Sequence, residues 1–537
     1  MNNISLSIQQ QILRNIAAFF SKNMAILVVC VLSLISVGSY IFFYKNGLGL
    51  AYNDARSHLD IGRRVVEGLK PGLAQLGSVW LPLPHLLMVP TIWNDFMWHS
   101  GLSGALQSMI AFVATGYLIY AFLRKLGVGM LGRLVGVLVW VANVNTLYLQ
   151  STAMTELLLL GSMTAGVYYL FLWQKDEKLL NLVKSSFWIM LATLNRYDGW
   201  FLLVFATFLI GVITLKKYGF KKTEGLLLFF ITLSGLGIAL WFLWNQLIFK
   251  DALYFALGPY SAHAQQQQLA SAGDLPTKRN LLLSTSVYLY ALIYNTGFFT
   301  LFLGTLGALL LFWDKTIKGS TRIILLSLFA PFLFNILALY LGFSVLFVQG
   351  ISGDTWFNVR YGIMMAPSIA IFIGYLVHKA KTMRFVFIGL LILTLVFSLA
   401  GADAVTIDDA RVGSSQKNVT EVSNWLAKNA ANKPGYVLIS AASHDAIIFS
   451  SGLPMSKFIH EGTGAYWTSA TTSPDRWARW IIMRTNDVND QTFKLVRKSA
   501  GFKRYNLVGH YPFADIYEIK PEYVSQLHTT PILGKQK

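Results

Sequence analysis

The sequence predicts a mostly α-helical membrane protein, a bundle of about eleven spanning helices followed by a small C-terminal α/β soluble domain. Three observations support this prediction. Of the 537 residues, 55% are hydrophobic and 13% are charged, against roughly 25% charged residues in an ordinary soluble domain. The apolar residues form long runs separated by short basic loops. After about residue 400 these runs give way to short amphipathic segments.

The formal net charge of +19 does not indicate nucleic-acid binding. Most Lys and Arg residues lie in short loops between apolar runs, which leaves no basic face to follow phosphates, so we expect no nucleic-acid partner. The one cysteine, Cys30, lies inside the first apolar run. It allows neither an intrachain disulfide nor a cysteine-based metal site.

Spanning helices need about 20 mostly apolar residues each. The first run follows Arg14 and Lys22 and has no small-residue cleavage site after it, so we expect a retained helix. The run 179–215 is too long for one span and is divided at the sequence NRYDG, residues 195–199. The predicted spans are 24–44, 102–123, 131–149, 157–173, two within 179–215, 225–249, 290–313, 323–347, 361–377 and 385–399.

The basic residues predict the orientation of the bundle. With the N-terminus inside, every predicted inner loop is basic, as the positive-inside rule requires. An odd number of spans then places everything after residue 399 outside. We therefore expect a multi-pass protein of the inner or plasma membrane, with a cytoplasmic N-terminus and a periplasmic or extracellular C-terminal domain. The inner basic residues are Arg124, Lys125, Arg133, Lys175, Lys178, Lys184, Lys216, Lys217, Lys221, Lys222, Lys315, Lys318, Arg322, Lys379, Lys381 and Arg384.

We predict a division into a membrane domain, residues 1–400, and an outer soluble α/β domain, residues 401–537. Val422, Trp425 and Leu426 share one face of a predicted helix at 419–430. Short strands are predicted at 435–440, 446–450 and 480–484. Since this segment has neither a Gly-rich phosphate loop nor a nucleophile elbow, we expect a packing or acceptor-binding accessory.

The first outer loop, residues 45–101, contains the first candidate for chemistry. Asn53 is predicted to cap a helix that continues to about Glu67. Asp54 then lies in its first turn, where the helix dipole favours the ionised carboxylate. His58 follows four residues later and shares the face of Asp54.

The same helix carries charged residues at steps of four. Arg56, Asp60 and Arg64 are predicted to pair along a solvated polar side, opposite an apolar stripe that includes Leu59 and Val66. This pattern is typical of a helix in the membrane interface. An interfacial helix with solvated charges is therefore an alternative to a catalytic role for the loop.

Polar residues also recur at the outer ends of other spans. Glu156 begins the fourth span, Arg196 and Asp198 lie at the predicted turn, and Arg360 and Tyr361 begin the tenth. A structural ion pair would explain any one of them, but a buried acid is costly unless it faces a cavity in the protein. An acid can accept a proton from a hydroxyl, and an arginine can hold a phosphate. If an apolar groove between the spans holds a lipid tail, these acids and arginines together suit the transfer of a group from a lipid phosphate to an acceptor.

Five segments together resemble the recurring blocks of GT-C membrane glycosyltransferases. The resemblance is to the branch of protein O-mannosyltransferases and aminoarabinose transferases, and it covers roughly residues 24–380. The segments are 52–60 (YNDARSHLD), 77–85 (GSVWLPLPH), 150–156 (QSTAMTE), 193–200 (TLNRYDGW) and 357–362 (FNVRYG).

The resemblance implies a polyprenyl-phosphate-linked sugar donor and an acceptor that is a glycan, a lipid or a protein. It also implies that the protein itself contacts membrane lipid. Asp54 matches the catalytic acid, expected to act as the general base of an inverting direct displacement. Glu156 matches an acid expected to position sugar or acceptor. Arg360, and less closely Arg196, match arginines that contact the donor phosphate. His58, Tyr52, Asp198 and Tyr361 are candidate substrate-binding residues.

The roles of two histidines and of a metal are separate questions. His58 and His85 are open as ligands, proton partners or packing residues, and packing is favoured for His85 because prolines flank it. Asp54 is followed by Ala55 and Arg56, so the loop lacks the paired acids of metal-dependent oligosaccharyltransferases. We therefore expect no metal and no cofactor.

The main alternative function is a transporter or flippase for a lipid-linked sugar, because multiple spans and intramembrane charges suit it equally well. The absence of a recognisable repeat between the halves of the sequence favours the transferase. A scaffold that presents the C-terminal domain is a third alternative, which the clustered acids and arginines disfavour. The sequence indicates neither the sugar, hexose or pentose, nor the acceptor.

Overall fold

The computed structural model describes residues 2–258, 261–273, 275–401, 404–412, 416–487 and 490–530. Residues 531–537 of the predicted C-terminal domain thus lie outside the described residues. The helices are α1 (Asn2–Lys45), α2 (Asn53–Val66), α3 (Leu83–Ile92), α4 (Asp95–His99), α5 (Leu102–Lys125), α6 (Met130–Val141), α7 (Val144–Leu149), α8 (Glu156–Asp176), α9 (Leu179–Thr193), α10 (Tyr197–Tyr218), α11 (Phe220–Phe249), α12 (Tyr254–Leu257), α13 (Ala262–Ala272), α14 (Leu281–Thr296), α15 (Phe298–Trp313), α16 (Gly319–Leu325), α17 (Ala330–Leu341), α18 (Ala366–Lys379), α19 (Arg384–Gly401), α20 (Val405–Val412), α21 (Gln416–Ala430), α22 (Ala441–Ser451), α23 (Ala465–Thr472) and α24 (Gln491–Val496).

The chain is a multi-pass integral membrane protein, and the predicted fold class is confirmed. Among the described residues, eight helices are long and apolar enough to cross a membrane, or up to nine if one bent pair counts as a single span. Two further predicted spans are shorter than a full crossing: α6 and α9 have 12 and 15 residues. The eight are Asn23–Lys45, Leu102–Lys125, Glu156–Asp176, Tyr197–Tyr218, Phe220–Phe249, Gly319–Leu341, Val359–Lys379 and Lys381–Val412.

Two predicted spans are wrong as straight helices. The segment 290–313 is broken at Gly297, where α14 and α15 meet at 108°. Gly297 has φ +83°, a left-handed conformation that glycine adopts without steric cost. The segment 131–149 is divided between α6 and α7, because the Asn143 side chain accepts a hydrogen bond from the Thr146 amide and begins a new helix there.

The C-terminal segment forms one five-stranded sheet. Its strands are β1 (Tyr436–Leu438), β2 (Phe458–Ile459), β3 (Ala478–Met483), β4 (Tyr505–His510) and β5 (Asp515–Ile519), in the order β2-β1-β3-β5-β4. β1 is parallel to β2 and β3, whereas β5 is antiparallel to β3 and β4. The predicted helix and two of the predicted strands correspond to α21, β1 and β3.

The third predicted strand, 446–450, is wrong, because these residues lie in helix α22. A short apolar run has no periodicity that separates a strand from a buried helix. The helix is favoured because the Glu461 carboxylate accepts from the Ala441 amide at 2.9 Å, which satisfies one of the free amides of its first turn. Ile447 and Ile448 on this helix are buried.

The predicted inner loops meet at one end of the bundle, which we call the basic end. There Lys175 Nζ lies 2.7 Å from the Lys125 carbonyl oxygen. Gln174 Nε2 donates to Ser320 Oγ at 2.9 Å. Helix α8 has Glu156 at its first residue and reaches the basic end at its last turn. The outer span ends that carry the candidate residues therefore lie at the opposite end.

Candidate active site

Arg360 lies at the centre of a buried cluster of carboxylates. It belongs to a 3-10 helix, Val359–Met365, that leads into α18. This turn packs closely on α14: a Cβ at Gly362 would lie 2.1 Å from the Ala291 carbonyl oxygen. The Asn295 amide also donates to the Val359 carbonyl at 2.7 Å. The backbone that carries Arg360 is thus held in place by its contacts with α14.

The guanidinium of Arg360 faces three carboxylates from three distant parts of the chain. Its Nε donates to Glu156 Oε1 at 3.0 Å, and its Nη2 donates to Asp54 Oδ2 at 2.7 Å. Its Nη1 lies 3.7 Å from Asp409 Oδ2. The Arg360 side chain is 6% exposed, so these charges interact with little solvent screening.

Glu156 connects the two arginines of the cluster. It is fully buried at the first residue of α8, and its Oε1 also lies 3.3 Å from Arg196 Nη1. Its Oε2 is buried and accepts no hydrogen bond from another residue that the structure describes. Arg196 Nε in turn lies 3.4 Å from Asp198 Oδ2. The prediction that these residues converge is therefore supported by direct contacts among them.

Asp54 is the carboxylate of the cluster that solvent reaches most easily. It lies in the first turn of α2, and its side chain is 41% exposed, against 0% for Glu156 and 3% for Asp409. One correction is small: α2 begins at Asn53 and Tyr52 is the residue before it, so Asn53 is not the cap. Asp54 is thus held by Arg360 on one side and open to an incoming molecule on the other.

The prediction of an interfacial helix with solvated charges is wrong for α2. All residues from Ala55 to Arg63 are buried. Arg56 Nε donates to the Leu50 carbonyl at 3.0 Å, and Asp60 Oδ1 accepts from Trp98 Nε1 at 3.1 Å. The predicted side-chain pairing of Arg56, Asp60 and Arg64 is not formed: Arg64 Nε donates to the Asp60 backbone carbonyl at 3.3 Å, and its Nη2 lies 3.9 Å from Asp445 Oδ2. Helices α3, α5 and α22 pack around α2 and supply the other contacts.

Two tyrosine rings lie against the arginines. The Arg360 guanidinium carbon is 4.9 Å from the centre of the Tyr52 ring and 5.3 Å from that of Tyr361. The Arg196 guanidinium is 4.7 Å from the Tyr361 ring. Such cation–π contacts hold a guanidinium without using its N–H donors.

Asp409 also belongs to the Arg360 cluster, although it is not among the residues predicted from the sequence. It lies on α20, which follows the last long apolar helix, and it is 2% exposed. Tyr52 Oη lies 3.0 Å from Asp409 Oδ2 and 2.8 Å from the Thr406 carbonyl oxygen. Burial raises the pKa of Tyr52 well above its ordinary value, and the charge of Asp409 raises it further, so the hydroxyl stays protonated and donates.

His58 and His85 form a buried pair beneath this cluster. His58 Nδ1 lies 2.9 Å from His85 Nε2, and the His58 ring is 4.5 Å from that of Trp80. Burial, aided by the charges of Arg196 and Arg360, lowers the pKa of His58 to about 3. Burial likewise lowers the pKa of His85 well below its ordinary value. Both histidines are therefore neutral at physiological pH, and His85 is more than a packing residue because it hydrogen-bonds with His58.

Within the ranges that the structure describes, no group of three or more His, Cys, Asp and Glu side chains is arranged to hold a metal ion. The four carboxyl groups of the cluster contact arginine or tyrosine instead. The prediction of a metal-free site stays a prediction.

No protein-family model and no curated protein sequence matches the chain. Its fold is nevertheless similar to that of solved structures. ArnT from Cupriavidus metallidurans bound to undecaprenyl phosphate has a TM-score of 0.54 at 11% identity, over 93% of this chain and 99% of that one. The apo state of ArnT gives the same TM-score over 94% and 99%. The apo oligosaccharyltransferase of Archaeoglobus fulgidus gives 0.49 at 11% identity, over 87% and 70%.

The similarity to ArnT extends over almost the whole of both chains. ArnT is a GT-C protein. The chain therefore has the GT-C fold, and the resemblance seen in the five sequence segments is confirmed at the level of the fold.

Proposed function

We propose that the chain is a membrane glycosyltransferase that moves a sugar from a polyprenyl-phosphate donor to an acceptor hydroxyl with inversion at the anomeric carbon. The observation that carries this proposal is the bridge that Arg360 makes between Asp54 and Glu156, at 2.7 and 3.0 Å. It combines a solvent-accessible carboxylate with a buried guanidinium. These are the two groups that such a transfer needs, a base for the acceptor and a cation for the leaving phosphate.

Asp54 is the proposed general base. The acceptor hydroxyl gives its proton to the Asp54 carboxylate while the acceptor oxygen forms a bond to the anomeric carbon. The bond from that carbon to the phosphate oxygen breaks, and the electron pair leaves with the polyprenyl phosphate. Attack from the face opposite the leaving group inverts the anomeric configuration. The exposed side of Asp54 gives the acceptor access to its carboxylate.

Arg360 is the proposed phosphate-binding residue, and Arg196 is the second. Their charges stabilise the phosphate as its negative charge grows during bond cleavage. A donor phosphate competes with Asp54 for Arg360, so donor binding frees the carboxylate to act as a base. Glu156 holds both guanidiniums from the buried side, which is a positioning role.

The remaining candidate residues are proposed to shape the binding site. Tyr361 and Tyr52 hold the guanidiniums through their ring faces, and Asp198 orients Arg196 at 3.4 Å. His58, neutral and placed one turn after Asp54, offers a hydrogen-bonding group to the sugar. ArnT has been crystallised with undecaprenyl phosphate, which supports a polyprenyl-phosphate donor for a chain of the same fold.

We place the site on the outer side of the membrane, with the N-terminus in the cytoplasm. The basic loops at the opposite end of the bundle support this orientation. We place the domain boundary at about residue 400, between the membrane domain and a C-terminal accessory domain. The contact of Asp409 with Tyr52 lies just past this boundary, which supports an accessory that completes the site.

The experiment uses purified protein in liposomes with a sugar-labelled polyprenyl phosphate. We expect label to appear as free sugar after transfer to water, or on an added acceptor, and no transfer by Asp54→Asn. NMR of the acceptor product should show the inverted anomeric configuration. A flippase would instead carry the intact labelled lipid across the bilayer, with no free sugar and no product. Movement of intact lipid at equal rates in wild type and Asp54→Asn, with no sugar transfer by either protein, would contradict the proposal.

A further inference from the structure

A cavity lies at the basic end of the bundle, far from Arg360. It has a volume of about 500 Å³ and lies between the ends of α8, α10 and α16. Glu156 is the first residue of α8, and Trp173, which lines the cavity, is in its last turn. At 1.5 Å per residue, about 26 Å of helix separates them. This is close to the roughly 30 Å thickness of a bilayer core, so the cavity opens at the headgroups of the opposite leaflet.

The walls of the cavity are apolar in depth and charged at the mouth. Trp173 and Ile213 are buried and contribute apolar surface between the helices. Lys216 and Lys217 line the mouth, on the last turn of α10, and both are exposed. The one acid in the lining, Glu177, accepts hydrogen bonds from Lys217 and Tyr218.

The charge around the mouth favours an anion. Lys222 Nζ lies 3.9 Å from the centre of the Tyr218 ring, which adds a third ammonium beside Lys216 and Lys217. Glu177 is the acid in the cavity lining that offsets these three positive charges. A lysine near a membrane surface contributes about 1 kcal/mol to the binding of an anionic lipid. An apolar slot of several hundred Å³ with a few charged groups at its entrance has the form of a small-ligand site.

We propose that this cavity binds one anionic phospholipid of the leaflet opposite the Asp54–Arg360 cluster. Its phosphate pairs with Lys216 and Lys217, and the start of one acyl chain lies against Trp173 and Ile213. Glu177 already neutralises Lys217 and therefore limits the affinity. The site is independent of the proposed sugar transfer, since it shares none of the residues assigned to the reaction.

The test is a titration of the full-length protein in neutral detergent, followed by native mass spectrometry. Dioleoyl phosphatidylglycerol is the probe, dioleoyl phosphatidylcholine tests the need for net negative charge, and inorganic phosphate tests the need for an acyl chain. We expect one saturable phosphatidylglycerol, weaker phosphatidylcholine binding and no competition by phosphate. Competition by phosphate at the same affinity would show a simple anion site and overturn the lipid assignment.

Removing a positive charge and removing the negative charge at the mouth should change the affinity for phosphatidylglycerol in opposite directions. Lys216→Gln should weaken phosphatidylglycerol binding about fivefold, the effect of one surface lysine. Glu177→Gln should strengthen binding, because it removes the one acid and releases Lys217. Lys315→Gln is the matched control, since Lys315 is an exposed lysine at the same end that does not line the cavity. Equal weakening by Lys216→Gln and Lys315→Gln would mean general attraction to the surface and would overturn the proposal.

A substitution that fills the cavity tests the site without changing charge. Gly319 lines the cavity, and an added Cβ there would meet no atom within 4 Å. We expect Gly319→Trp to place its indole in the cavity and abolish the saturable binding, and its thermal unfolding midpoint, compared with that of wild type, checks that the variant folds. A phosphatidylglycerol with a diazirine in its acyl chain should label the Trp173 and Ile213 peptides in wild type but not in Gly319→Trp. Unchanged binding and labelling in this variant would contradict the proposal.

Discussion

The Arg360 guanidinium donates to the Asp54 carboxylate through Nη2 and Oδ2 at 2.7 Å, across 306 residues of sequence. This bond joins the first outer loop to the start of the span that contains Arg360. The same guanidinium binds Glu156 through Nε, so one side chain fixes the accessible carboxylate and the buried one together.

Arg360→Lys should lower transfer activity about 100- to 1,000-fold, as the loss of a preorganised electrostatic contact does in other enzymes. A lysine carries all its N–H donors on one nitrogen, so it cannot span Asp54 and Glu156 from two separate nitrogens as the guanidinium does. Arg196→Lys is the comparison, and its effect should be smaller because Arg196 does not contact Asp54. Initial rates at saturating donor measure both. Equal rates for the two variants would contradict the central place of Arg360.

Glu156→Gln should destabilise the folded protein by about 3–5 kcal/mol, the cost of removing one partner from a buried ion pair. The loss is large because Glu156 is fully buried and faces both Arg360 and Arg196. Chemical unfolding in detergent gives the change in the free energy of unfolding. Glu224→Gln, at an exposed position on α11, is the control and should be neutral. Similar stabilities of the two variants would show that Glu156 is not part of a tight network.

Tyr52→Phe should cost about 1–3 kcal/mol, because it removes a hydrogen bond to the buried Asp409 carboxylate. The Tyr52 hydroxyl lies within hydrogen-bonding distance of Asp409 and of the Thr406 carbonyl oxygen. A double-mutant cycle with Asp409→Asn isolates the pair, and Tyr52→Phe should cost less in the Asp409→Asn background. Equal costs in both backgrounds would mean that the two side chains do not interact.

The buried histidines predict a loss of stability at acid pH. Burial lowers the pKa of His58 to about 3, whereas an unfolded histidine titrates at about 6.5. Below about pH 6.5 the unfolded chain binds a proton that the folded chain excludes, so stability falls as the pH falls from about 6.5 towards 3. The loss approaches about 1.4 kcal/mol per pH unit.

His58→Gln should reduce the difference between the thermal unfolding midpoints at pH 7.5 and pH 5. Other acidic groups titrate in both proteins, so the comparison with wild type isolates His58. His528→Gln, at an exposed position, should leave the difference unchanged. A pH dependence in His58→Gln identical to wild type would contradict the burial of a neutral His58.

Much of the fold and the core of the candidate site could be predicted from the sequence. The helices at 102–125 and 156–176 follow from apolar runs, and the split near Arg196 follows from polar residues inside a run. The break at Gly297 was missed because a glycine inside an apolar stretch is compatible with a continuous helix. Only the packing of α14 and α15 shows the 108° bend.

Asp409 could not be predicted because nothing in its sequence context marks it. It is one of two adjacent acids, Asp408 and Asp409, of which Asp408 is exposed and Asp409 is buried. Its contact with Tyr52 joins residues 357 positions apart. Likewise, the burial of α2 depends on α22, which comes from the other end of the chain. The residue pattern of α2 alone does not predict that α22 packs against it.

The most direct test of the proposed function is the rate of sugar transfer by Asp54→Asn beside a matched carboxylate variant. Asp60 is a poor control because it is fully buried and bonded to Trp98. Asp95, also in the first outer loop, has a side chain that is 77% exposed. The proposed function predicts that Asp54→Asn abolishes transfer from the labelled polyprenyl-phosphate donor while Asp95→Asn retains it. Transfer by Asp54→Asn at the wild-type rate would contradict the assignment of Asp54 as the base.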